Sequence, residues 1–580
     1  MNGRAGKGQA VTAPNVRPVE RGGWLFGATP AARARRVLLL VLIPALTLAG
    51  TLRFDFVFDD NLVIFEDPLI VGPFSLGRIF GSEVRVASVS LGYYRPLITL
   101  LYRFDWMLWG LNPAGYHLTN LLWHLLATFL VYRVALRTTG RVAAAWAGAM
   151  LFAVLPAHAE AVGWIQGRVD LVSTSLVLGS LLALLHAKEA SGRAAFGWSA
   201  LAALAFLLAL LAKESVAVFP LAWMTWEVST SRTKRPGDRG RSALIRLGAL
   251  LLAGLLYGAL RRWAVGDLVG FPMSFSPIAL RTLAVLAVLG EYGRVLLAPG
   301  ITLNFHCALW LSPTPLVGAM ALLVSLILAG GLLAIWRRGR HLFPWAAWLP
   351  IMLLPPLLFV LYAPAPERGF FTAERFLYLP SVGWCVLLGA LIHSAMERQA
   401  PLVGPVWGWV SCAGLIVGYA GLTAVRLLPW AEATDFYLAM QAQSGLSQAT
   451  RILVHNNLGQ VYLERGELRL AREEFQAALR LKPDQTSALN NLAVLLIREG
   501  NPAEARRWLE TAIRLNPLHA EAYGNLGAAF EAEGNLPAAR QAYEAGLRAA
   551  PRSAWLIRGL DRVQSANDQR RTTRPPRISP

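Results

Sequence analysis

The stretch HNNLGQVYLERGELRLAREEFQAALRLKP, residues 455–483, decides the fold of the C-terminal part of the chain. Its pattern returns twice, each time 34 residues further on. The recurring positions are Pro483, Pro517 and Pro551, Gly466, Gly500 and Gly534, Ala471, Ala505 and Ala539, and the Asn-Leu pairs that begin at Asn457, Asn491 and Asn525. Small residues at fixed positions and a proline after the second half of each unit predict a series of stacked helix pairs.

This 34-residue period is the tetratricopeptide signature. One helix pair cannot bury its apolar face alone, so neighbouring pairs must stack into an α-solenoid. The sequence predicts repeats near 452–485, 486–519 and 520–553, within a repeat domain at 430–568. The basic segment 569–580 follows, and its composition predicts disorder.

Upstream of residue 430 the composition is that of a membrane protein. The 580-residue chain is 55% hydrophobic and only 16% charged, values that are untypical of a soluble enzyme. Twelve apolar runs lie between residues 36 and 425, each near the length of about 20 residues that a spanning helix needs. The predicted fold is therefore all-α, with a tail at 1–36, a polytopic transmembrane helical domain at 37–429 and the solenoid after it.

The basic residues predict the orientation of these helices. The formal net charge is +20, and the basic residues cluster between apolar runs, at 33–36, 137–141, 231–241 and 337–340. This distribution follows the positive-inside rule and argues against nucleic acid as a partner. If the run 281–298 does not cross, the chain has about eleven spans, a cytoplasmic N-terminus and an extracytoplasmic repeat domain. The three cysteines are scattered and predict neither a disulfide framework nor a metal cluster.

Ionisable residues beside apolar runs are costly and mark candidate sites. His117, Asn120 and His124 are spaced to share one face of a helix. By the charge rule, the other candidates face the same, extracytoplasmic side: Asp59, Asp60, Arg95, His158, Glu160, Arg168, Asp170, Lys213, Glu214, Glu374 and Arg375. This convergence favours one site at the membrane surface.

Each of these groups also has a purely structural interpretation. The residues on the His117 face can form a polar seam between helices. Arg168 with Asp170, Lys213 with Glu214, and Glu374 with Arg375 can each form a local ion pair.

The residue types fit transfer from a lipid-linked phosphate. Of two adjacent acids, one can act as a general base toward a hydroxyl. Arginine holds phosphate through a planar fork and lysine as a point charge. Asp59 and Asp60 can equally bind a divalent cation through their carboxylates. No glycine-rich phosphate motif stands where a nucleotide site requires one, which argues against a nucleotide-sugar donor.

The chain resembles the transmembrane-and-tetratricopeptide-repeat O-mannosyltransferase family and its bacterial relatives, within the GT-C glycosyltransferase superfamily. The resemblance covers about residues 37–553 and depends on the order of its motifs. These are FVFDDNLVI (56–64), YYRPL (93–97), NPAGYHLTNLLWH (112–124), LPAHAEAVGWIQGRVDLV (155–172), LLAKESVAVFP (210–220) and AERFLYLPS (373–381), followed by the repeats.

The resemblance implies an inverting transfer of mannose or a similar sugar from a polyprenyl phosphate to a protein hydroxyl, outside the cytoplasm. The family's acidic motif falls on Asp59 and Asp60, either of which can be the base, and its late acid-base motif falls on Glu374 and Arg375. For a bacterial relative the location is the inner (plasma) membrane. The concave face of the repeats is expected to present the acceptor protein.

Two other functions remain open at this point. The chain can be a polysaccharide polymerase or ligase, which would change the length of a glycan. It can also be a non-catalytic membrane scaffold for envelope assembly, which would tolerate Asp59→Asn and Asp60→Asn together.

Overall fold

The computed structural model describes residues 25–65, 67–86, 89–229, 236–267, 278–300, 307–309, 330–337, 341–362, 370–398, 405–443, 446–551 and 553–572, with the single positions 319, 323 and 339. These residues are predominantly helical and divide into two compact units. The first holds the membrane-type helices up to Ala431, and the second holds the repeats from Glu432 onward. The predicted all-α class is confirmed.

The first unit is built from long helices joined by short helical turns. Its α-helices are Pro30–Leu48, Asp60–Ile64, Leu76–Phe80, Pro96–Trp109, Pro113–Thr139, Val142–Ala153, Ala159–Gly163, Arg168–Glu189, Gly192–Ala212, Phe219–Ser229, Pro236–Val265, Ile278–Leu297, Phe343–Tyr362, Ser381–Arg398 and Pro405–Leu427. Its 3-10 turns are Ala49–Arg53, Pro156–His158, Ile165–Gly167, Glu214–Val218, Glu374–Leu377 and Leu428–Trp430. Strand Val84–Val86 pairs antiparallel with Val89–Tyr93 in this unit. A second small sheet is formed by Cys307–Leu309 and Phe370–Thr372, and all of its residues except Thr372 belong to the second unit.

Among the described residues, seven helices are long and apolar enough to cross a membrane. They are Pro30–Arg53, Pro113–Thr139, Ile165–Glu189, Gly192–Ala212, Gly240–Val265, Phe343–Tyr362 and Gly408–Trp430. An eighth is formed if Val142–Ala153 and Pro156–Gly163, which meet at a 47° bend, count as one span. The chain is thus an integral membrane protein. The run 315–336 lies mostly outside the described residues, so the total of about eleven spans stays a prediction.

The helix Pro113–Thr139 shows how the sequence sets the boundaries of these helices. Asn112 caps its start, because the Asn112 side chain accepts a hydrogen bond from the backbone N–H of Ala114 (3.1 Å). Pro113 occupies the first helical position, where a missing N–H costs nothing. Gly140 ends the helix with φ of 66°, a left-handed conformation that favours glycine. The NPAG part of the motif at 112–124 is therefore a helix start.

The helix that follows is broken, and the break positions candidate residues. Pro156 cannot donate a backbone hydrogen bond and disfavours helical geometry at Leu155, so the helix Val142–Ala153 stops there. The carbonyls freed by the break are satisfied by side chains. Thr423 Oγ1 donates to Val154 O (2.8 Å), and His124 Nε2 lies 2.9 Å from Ala153 O. Irregular backbone at membrane depth requires such partners.

The second unit consists of consecutive helix pairs. Its helices are Ala433–Gln441, Gln448–Glu464, Leu468–Leu481, Thr486–Arg498, Pro502–Leu515, Ala520–Ala532, Leu536–Ala549 and Ala554–Thr572. The turn glycines Gly466, Gly500 and Gly534 have φ of 78°, 81° and 75°, which explains why glycine recurs there.

The small residues of the repeat lie where its paired helices touch. Gly459 packs directly beneath Phe475, and a Cβ at this glycine would come within 2.6 Å of the Phe475 ring. Ala471, Ala505 and Ala539 are fully buried. The predicted tetratricopeptide architecture is confirmed.

Candidate active site

Asp59 and Asp60 lie at a sharp turn after the first membrane helix. Phe58, directly before them, has φ of 61°, a left-handed conformation that non-glycine residues rarely adopt. Its ring packs edge to face against Trp164, with ring centroids 5.9 Å apart. The short helix Asp60–Ile64 begins immediately afterward. This turn gives the two adjacent carboxylates different environments.

The Asp59 carboxylate is half-buried and is oriented by a side chain from a distant motif. Gln166 Nε2 donates a hydrogen bond to Asp59 Oδ1 at 2.7 Å. Burial raises the pKa of Asp59 from 3.8 to about 6, although the positive charge of Arg375 lowers it. At neutral pH this acid is ionised and more basic than an ordinary aspartate, which suits a general base.

The Asp60 carboxylate is completely buried. Its Oδ2 accepts a hydrogen bond from the backbone N–H of Val57 (3.1 Å), while its Oδ1 has no hydrogen-bond partner in the described part of the chain. Burial, and then the charge of Asp59, raise the pKa of Asp60 well above its usual range. This environment favours the neutral acid, so Asp59 is the more reactive of the two.

Two ion pairs involve the LLAKESVAVFP motif: one joins it to the YYRPL motif, and the other joins it to the helix Arg168–Glu189. The Arg95 guanidinium donates two hydrogen bonds to the Glu214 carboxylate, of 2.7 and 3.0 Å, and lies over the Tyr93 ring. Lys213 pairs with Asp170. Lys213 and Glu214 therefore have separate partners, contrary to the local pair that their adjacency suggests.

Charge interactions connect these pairs to each other. Burial would raise the pKa of Glu214, but Arg95 lowers it to about 2. Burial lowers the pKa of Lys213, and the positive charges of Arg95 and Arg375 lower it further while Asp170 opposes them. Arg375 thus acts on both Lys213 and Asp59, so these groups share one electrostatic environment.

The AERF motif contributes two further pairs. Arg375 donates to Glu160 from its backbone N–H (3.0 Å) and from its guanidinium, whose carbon lies 4.8 Å from the centre of the Trp164 ring. Glu374 instead accepts from Arg426, and both of these side chains are buried. Glu374 and Arg375 are therefore not a local pair but bind two different helices.

Arg168 is fully buried and is the centre of a network of hydrogen bonds. It donates to Asn120 Oδ1 (2.8 Å), to the backbone carbonyl of Tyr116 (2.9 Å) and to Asp105. Thr119 also donates to Asp105 (3.1 Å). Arg168 thus pairs with Asp105 rather than with Asp170, and the network holds the helices Pro96–Trp109 and Pro113–Thr139 against the start of Arg168–Glu189.

The histidines occupy apolar, buried positions. His124 Nε2 donates to the carbonyl of Ala153, which leaves Nδ1 to accept from the Tyr378 hydroxyl (2.7 Å). His158 Nε2 lies 2.9 Å from Ser381 Oγ and packs on the Tyr378 ring. These contacts make the two rings part of the support for the broken helix.

The third histidine, His117, is buried with its ring edge-on to Phe54 at 5.8 Å. Its helical face also carries Asn120 and His124, as the spacing predicts, but each of these two contacts a different part of the fold.

The structure places most of the predicted residues in ion pairs and hydrogen bonds, but these form several separate pairs and one network around Arg168. The partly exposed members are Asp59, Arg95, Glu214 and Arg375. Sequence reasoning missed Gln166, Asp105, Tyr378 and Arg426. Gln166 stood inside a quoted motif, and Arg426 ends the last apolar run, but the sequence offered no signal that pairs Asp105 with Arg168.

The sequence leaves open whether Asp59 and Asp60 bind a divalent cation or act without one. Among the described residues, no group of three or more His, Cys, Asp or Glu side chains is placed to hold a metal ion. Asp59 and Asp60 face different surroundings, and neither forms an ion pair with a cation in the described chain.

Comparison with known proteins shows what each part of the chain is similar to. The Tetratricopeptide repeat family profile matches residues 456–515 and 496–554. The protein O-mannosyl-transferase F38B6.6 of Caenorhabditis elegans is 27% identical over 77% of this chain and 63% of its own length. Mouse protein O-mannosyl-transferase TMTC3 is 25% identical over 78% of this chain and 52% of its own length.

The predicted family resemblance is confirmed. A shorter match of higher identity, 38% over 172 residues, is to the protein O-mannosyl-transferase Tmtc1 of Drosophila melanogaster and covers 29% of this chain and 19% of that protein. The chain spans between about half and two thirds of the length of the worm and mouse relatives.

Solved structures similar to the chain include ArnT from Cupriavidus metallidurans in the apo state. It is 16% identical over 84% of this chain and 81% of its own, with a TM-score of 0.42. The first TPR of Spaghetti (RPAP3), bound to an HSP90 peptide, is 24% identical over 20% of this chain and 94% of its own, with a TM-score of 0.20.

Proposed function

We propose that the protein transfers a sugar, mannose or a similar one, from a polyprenyl phosphate to a hydroxyl of an extracytoplasmic protein. The observation that carries the proposal is the environment of the half-buried Asp59. Its carboxylate accepts a hydrogen bond from Gln166, and burial raises its pKa to about 6 although the positive charge of Arg375 lowers it. The names of the relatives, all protein O-mannosyl-transferases, support the same reaction.

Asp59 is the proposed general base. As the hydroxyl oxygen of the acceptor attacks the anomeric carbon, Asp59 takes the hydroxyl proton. The bond between the anomeric carbon and the phosphate oxygen breaks, and its electron pair leaves with the phosphate. Attack from the face opposite the leaving phosphate inverts the anomeric centre. Asp60, buried and favoured as a neutral acid, supports the turn that presents Asp59.

Arg95 is the proposed contact for the donor phosphate. Glu214 occupies the Nε and Nη2 edge of its guanidinium, and a guanidinium carries five N–H groups in all. The remaining edge of this partly exposed cation can bind an anion by charge-assisted hydrogen bonds. Arg375 adds positive charge to the same environment, which stabilises the phosphate as it leaves.

The location proposed for the reaction is the outer face of a bacterial inner membrane. The basic clusters between apolar runs support a cytoplasmic N-terminus and extracytoplasmic repeats. Tetratricopeptide solenoids offer extended concave surfaces, and the role proposed for these repeats is to hold the acceptor protein.

The test is a survey of glycopeptide masses in the envelope of the host after deletion of the gene. We expect a sugar mass to disappear, to return with the wild-type gene and to stay absent with Asp59→Asn. Asp55→Asn, at an exposed aspartate four residues earlier, is the matched control and should restore the sugar.

Two outcomes would overturn the proposal. If Asp59→Asn restores the sugar mass fully, Asp59 is not the base. If deletion changes no protein mass but disperses an envelope complex or changes glycan chain length, the scaffold or the polymerase, respectively, is the better account.

A further inference from the structure

The turn that carries Asp59 needs support from its surroundings. Phe58 has φ of 61°, and a non-glycine residue keeps such a conformation only where neighbouring groups fix it. Trp164 is one of these neighbours, since its ring packs edge to face against Phe58 with ring centroids 5.9 Å apart. The centre of the Trp164 ring also lies 4.8 Å from the guanidinium carbon of Arg375. The position of this one indole ring therefore affects both Asp59 and Arg375.

Trp164 is in turn supported by Trp430. The two rings stack, with centroids 6.1 Å apart and planes inclined by 26°. Trp430 lies in the turn Leu428–Trp430, directly after the helix Pro405–Leu427. A tryptophan at the end of a membrane helix ordinarily lies in the lipid interface. Trp430 is only 2% exposed, so it packs inward against the active-site side of the unit instead.

Two further contacts hold the segment that carries Trp430. The backbone carbonyl of Ala431 accepts a hydrogen bond from the backbone N–H of Asp55 (2.9 Å). One helical turn before Trp430, Arg426 forms its buried ion pair with Glu374. The segment is thus tied to the chain that leads into the Asp59 turn and to the AERF motif.

The contact between Trp430 and the chain around Trp164 is close. Gly163 directly precedes Trp164, and a Cβ at Gly163 would lie 2.8 Å from the Leu427 side chain and 3.2 Å from Trp430 Cγ. Any larger residue at position 163 would therefore have to displace these side chains. Glycine here lets the two segments approach each other.

We propose that Trp430 is a positioning residue for the transfer reaction: by stacking on Trp164 it holds the turn that presents Asp59 to the acceptor hydroxyl. Trp430 acts through Trp164 and takes no part in the chemistry itself. A displacement of about 1 Å at a reacting group can reduce the rate by about 10²-fold, so the rate depends on such support. The inference rests on the proposed function, because it assigns the base to Asp59.

The first test is kinetic. It uses the full-length protein in detergent, with mannose on a polyprenyl phosphate as donor and a short threonine-containing peptide as acceptor. Trp430→Ala should lower kcat by about 10²-fold with little change in KM for the peptide, because the base is displaced while the acceptor still binds. Trp430→Phe keeps a flat ring against Trp164 and should recover most of the loss.

The matched control is Trp345→Ala. Trp345 is fully buried in the same unit, and its indole N–H donates to Thr138 (3.0 Å), next to the basic cluster 137–141. Its removal takes away an equally large buried ring but leaves the Asp59 turn in place, so kcat per folded molecule should stay near the wild-type value. Thermal unfolding measures how much of each variant is folded.

The pH profile separates positioning from a loss of stability. Burial raises the pKa of Asp59 to about 6 and outweighs the opposing charge of Arg375. A looser turn lets water reach the carboxylate, so in Trp430→Ala the pKa should fall toward 3.8 and the midpoint of kcat/KM should move to lower pH. Arg375, Asp60 and Tyr102 also interact electrostatically with Asp59, and all three remain in the variant. Partial unfolding alone would lower the rate without moving the midpoint.

A gentler pair of variants keeps the test decisive if Trp430→Ala does not fold. Gly163→Ala pushes a methyl group against Trp430 and should lower kcat and move the midpoint in the same direction, by less. Gly179→Ala is its control, since a Cβ at this membrane-helix glycine meets open space among the described residues. It should change neither quantity.

A third readout does not depend on sugar transfer. Asp59→Cys, made in a chain with Cys307→Ser, places a thiol at the turn, while the remaining Cys385 and Cys412 are buried. Adding Trp430→Ala should raise the rate at which a maleimide alkylates this thiol by at least about tenfold, because the turn opens more often. Adding Trp345→Ala should leave that rate unchanged.

The inference is wrong if Trp430→Ala folds and keeps the wild-type kcat, or if its lower kcat comes with an unmoved midpoint and unchanged alkylation. A Trp430→Ala variant that behaves like Trp345→Ala, beside an inactive Asp59→Asn, would overturn the inference and keep the proposed function. An active Asp59→Asn would remove the proposed function, and the alkylation rates would then decide whether Trp430 holds the turn.

Discussion

At the scale of single residues, the raised pKa of Asp59 predicts how the reaction depends on pH. The base must be ionised, so kcat/KM should fall as pH drops through about 6. The donor phosphate adds negative charge next to Asp59 and raises its pKa further, so the midpoint for kcat should lie higher than that for kcat/KM. Initial rates measured with purified protein from about pH 5 to about pH 8 would give both midpoints.

Substitutions at the two aspartates check the same assignment. Asp59→Asn should reduce kcat by about 10²–10⁴-fold, the usual contribution of a general base. Asp60→Asn should have a much smaller effect, since an amide oxygen can still accept from the Val57 N–H and the carboxyl is favoured as neutral. The reverse order of severity would make Asp60 the base.

Gln166 provides a prediction about positioning. Its N–H stabilises the ionised form of Asp59, so Gln166→Ala should move the midpoint of kcat/KM to higher pH as well as lower the rate. Gln166→Glu should move the midpoint further, because it places a second negative charge against Asp59. The pH profile of each variant is the measurement, with Asn61→Ala, an exposed amide two residues from Asp59, as the control. Lower rates with an unmoved midpoint would mean that Gln166 has only a structural role.

At the scale of helices, the Arg168 network predicts a large effect on stability. Arg168→Met leaves Asp105 buried without its cation, a loss that typically costs about 3–5 kcal/mol. Adding Asp105→Leu removes the unpaired charge and should recover part of that stability. Thermal unfolding of the full-length protein in detergent is the measurement, and Arg193→Met, at an exposed position, is the control. A double variant no more stable than Arg168→Met would show that the pair itself is not what holds these helices.

The helices of this protein were largely predictable, whereas the partners of its charges were not. A run of about 20 apolar residues has few options besides a spanning helix, and a 34-residue period has few besides stacked helix pairs. Residues one or two positions apart do not face each other on a helix. Adjacent charged residues therefore pair with different neighbours, as Glu374 and Arg375 do, and as Lys213 and Glu214 do. The identity of those neighbours depends on tertiary packing.

The break at Pro156 shows the same limit. The proline signals where the helix ends, but not which groups will satisfy the freed carbonyls. His124 and Thr423 do so from helices far away in the sequence. Histidines that a motif suggests for substrate binding thereby acquire a structural role that only the packing reveals.

At the scale of the whole molecule, the predicted orientation can be tested by labelling. Asp484→Cys places a thiol on an exposed turn of the repeats. Arg193→Cys places one in the exposed first turn of the helix Gly192–Ala212, which the charge rule predicts to lie on the same cytoplasmic side as the basic cluster 137–141. In intact cells, a membrane-impermeant maleimide should label the first variant but should reach the second only after permeabilisation. Both cysteine variants are made in a chain with Cys307→Ser, and that parent chain provides the background, since the two cysteines left in it, Cys385 and Cys412, are buried. The opposite pattern would place the repeats in the cytoplasm and exclude an extracytoplasmic acceptor.

The division into two units predicts that chemistry and acceptor binding are separable. Removal of the chain from Ala433 onward leaves every residue of the proposed active site in place. If the repeats hold the acceptor, this truncation should raise KM for a protein acceptor, because the repeats supply local concentration rather than catalytic groups. Transfer to a short threonine-containing peptide, too small to engage three repeats, should continue at a similar kcat. The same truncation with Asp59→Asn sets the background for both assays.

An unchanged KM for the protein acceptor would contradict presentation by the repeats. If transfer to the short peptide is lost as well, the membrane unit depends on the repeats for its own integrity.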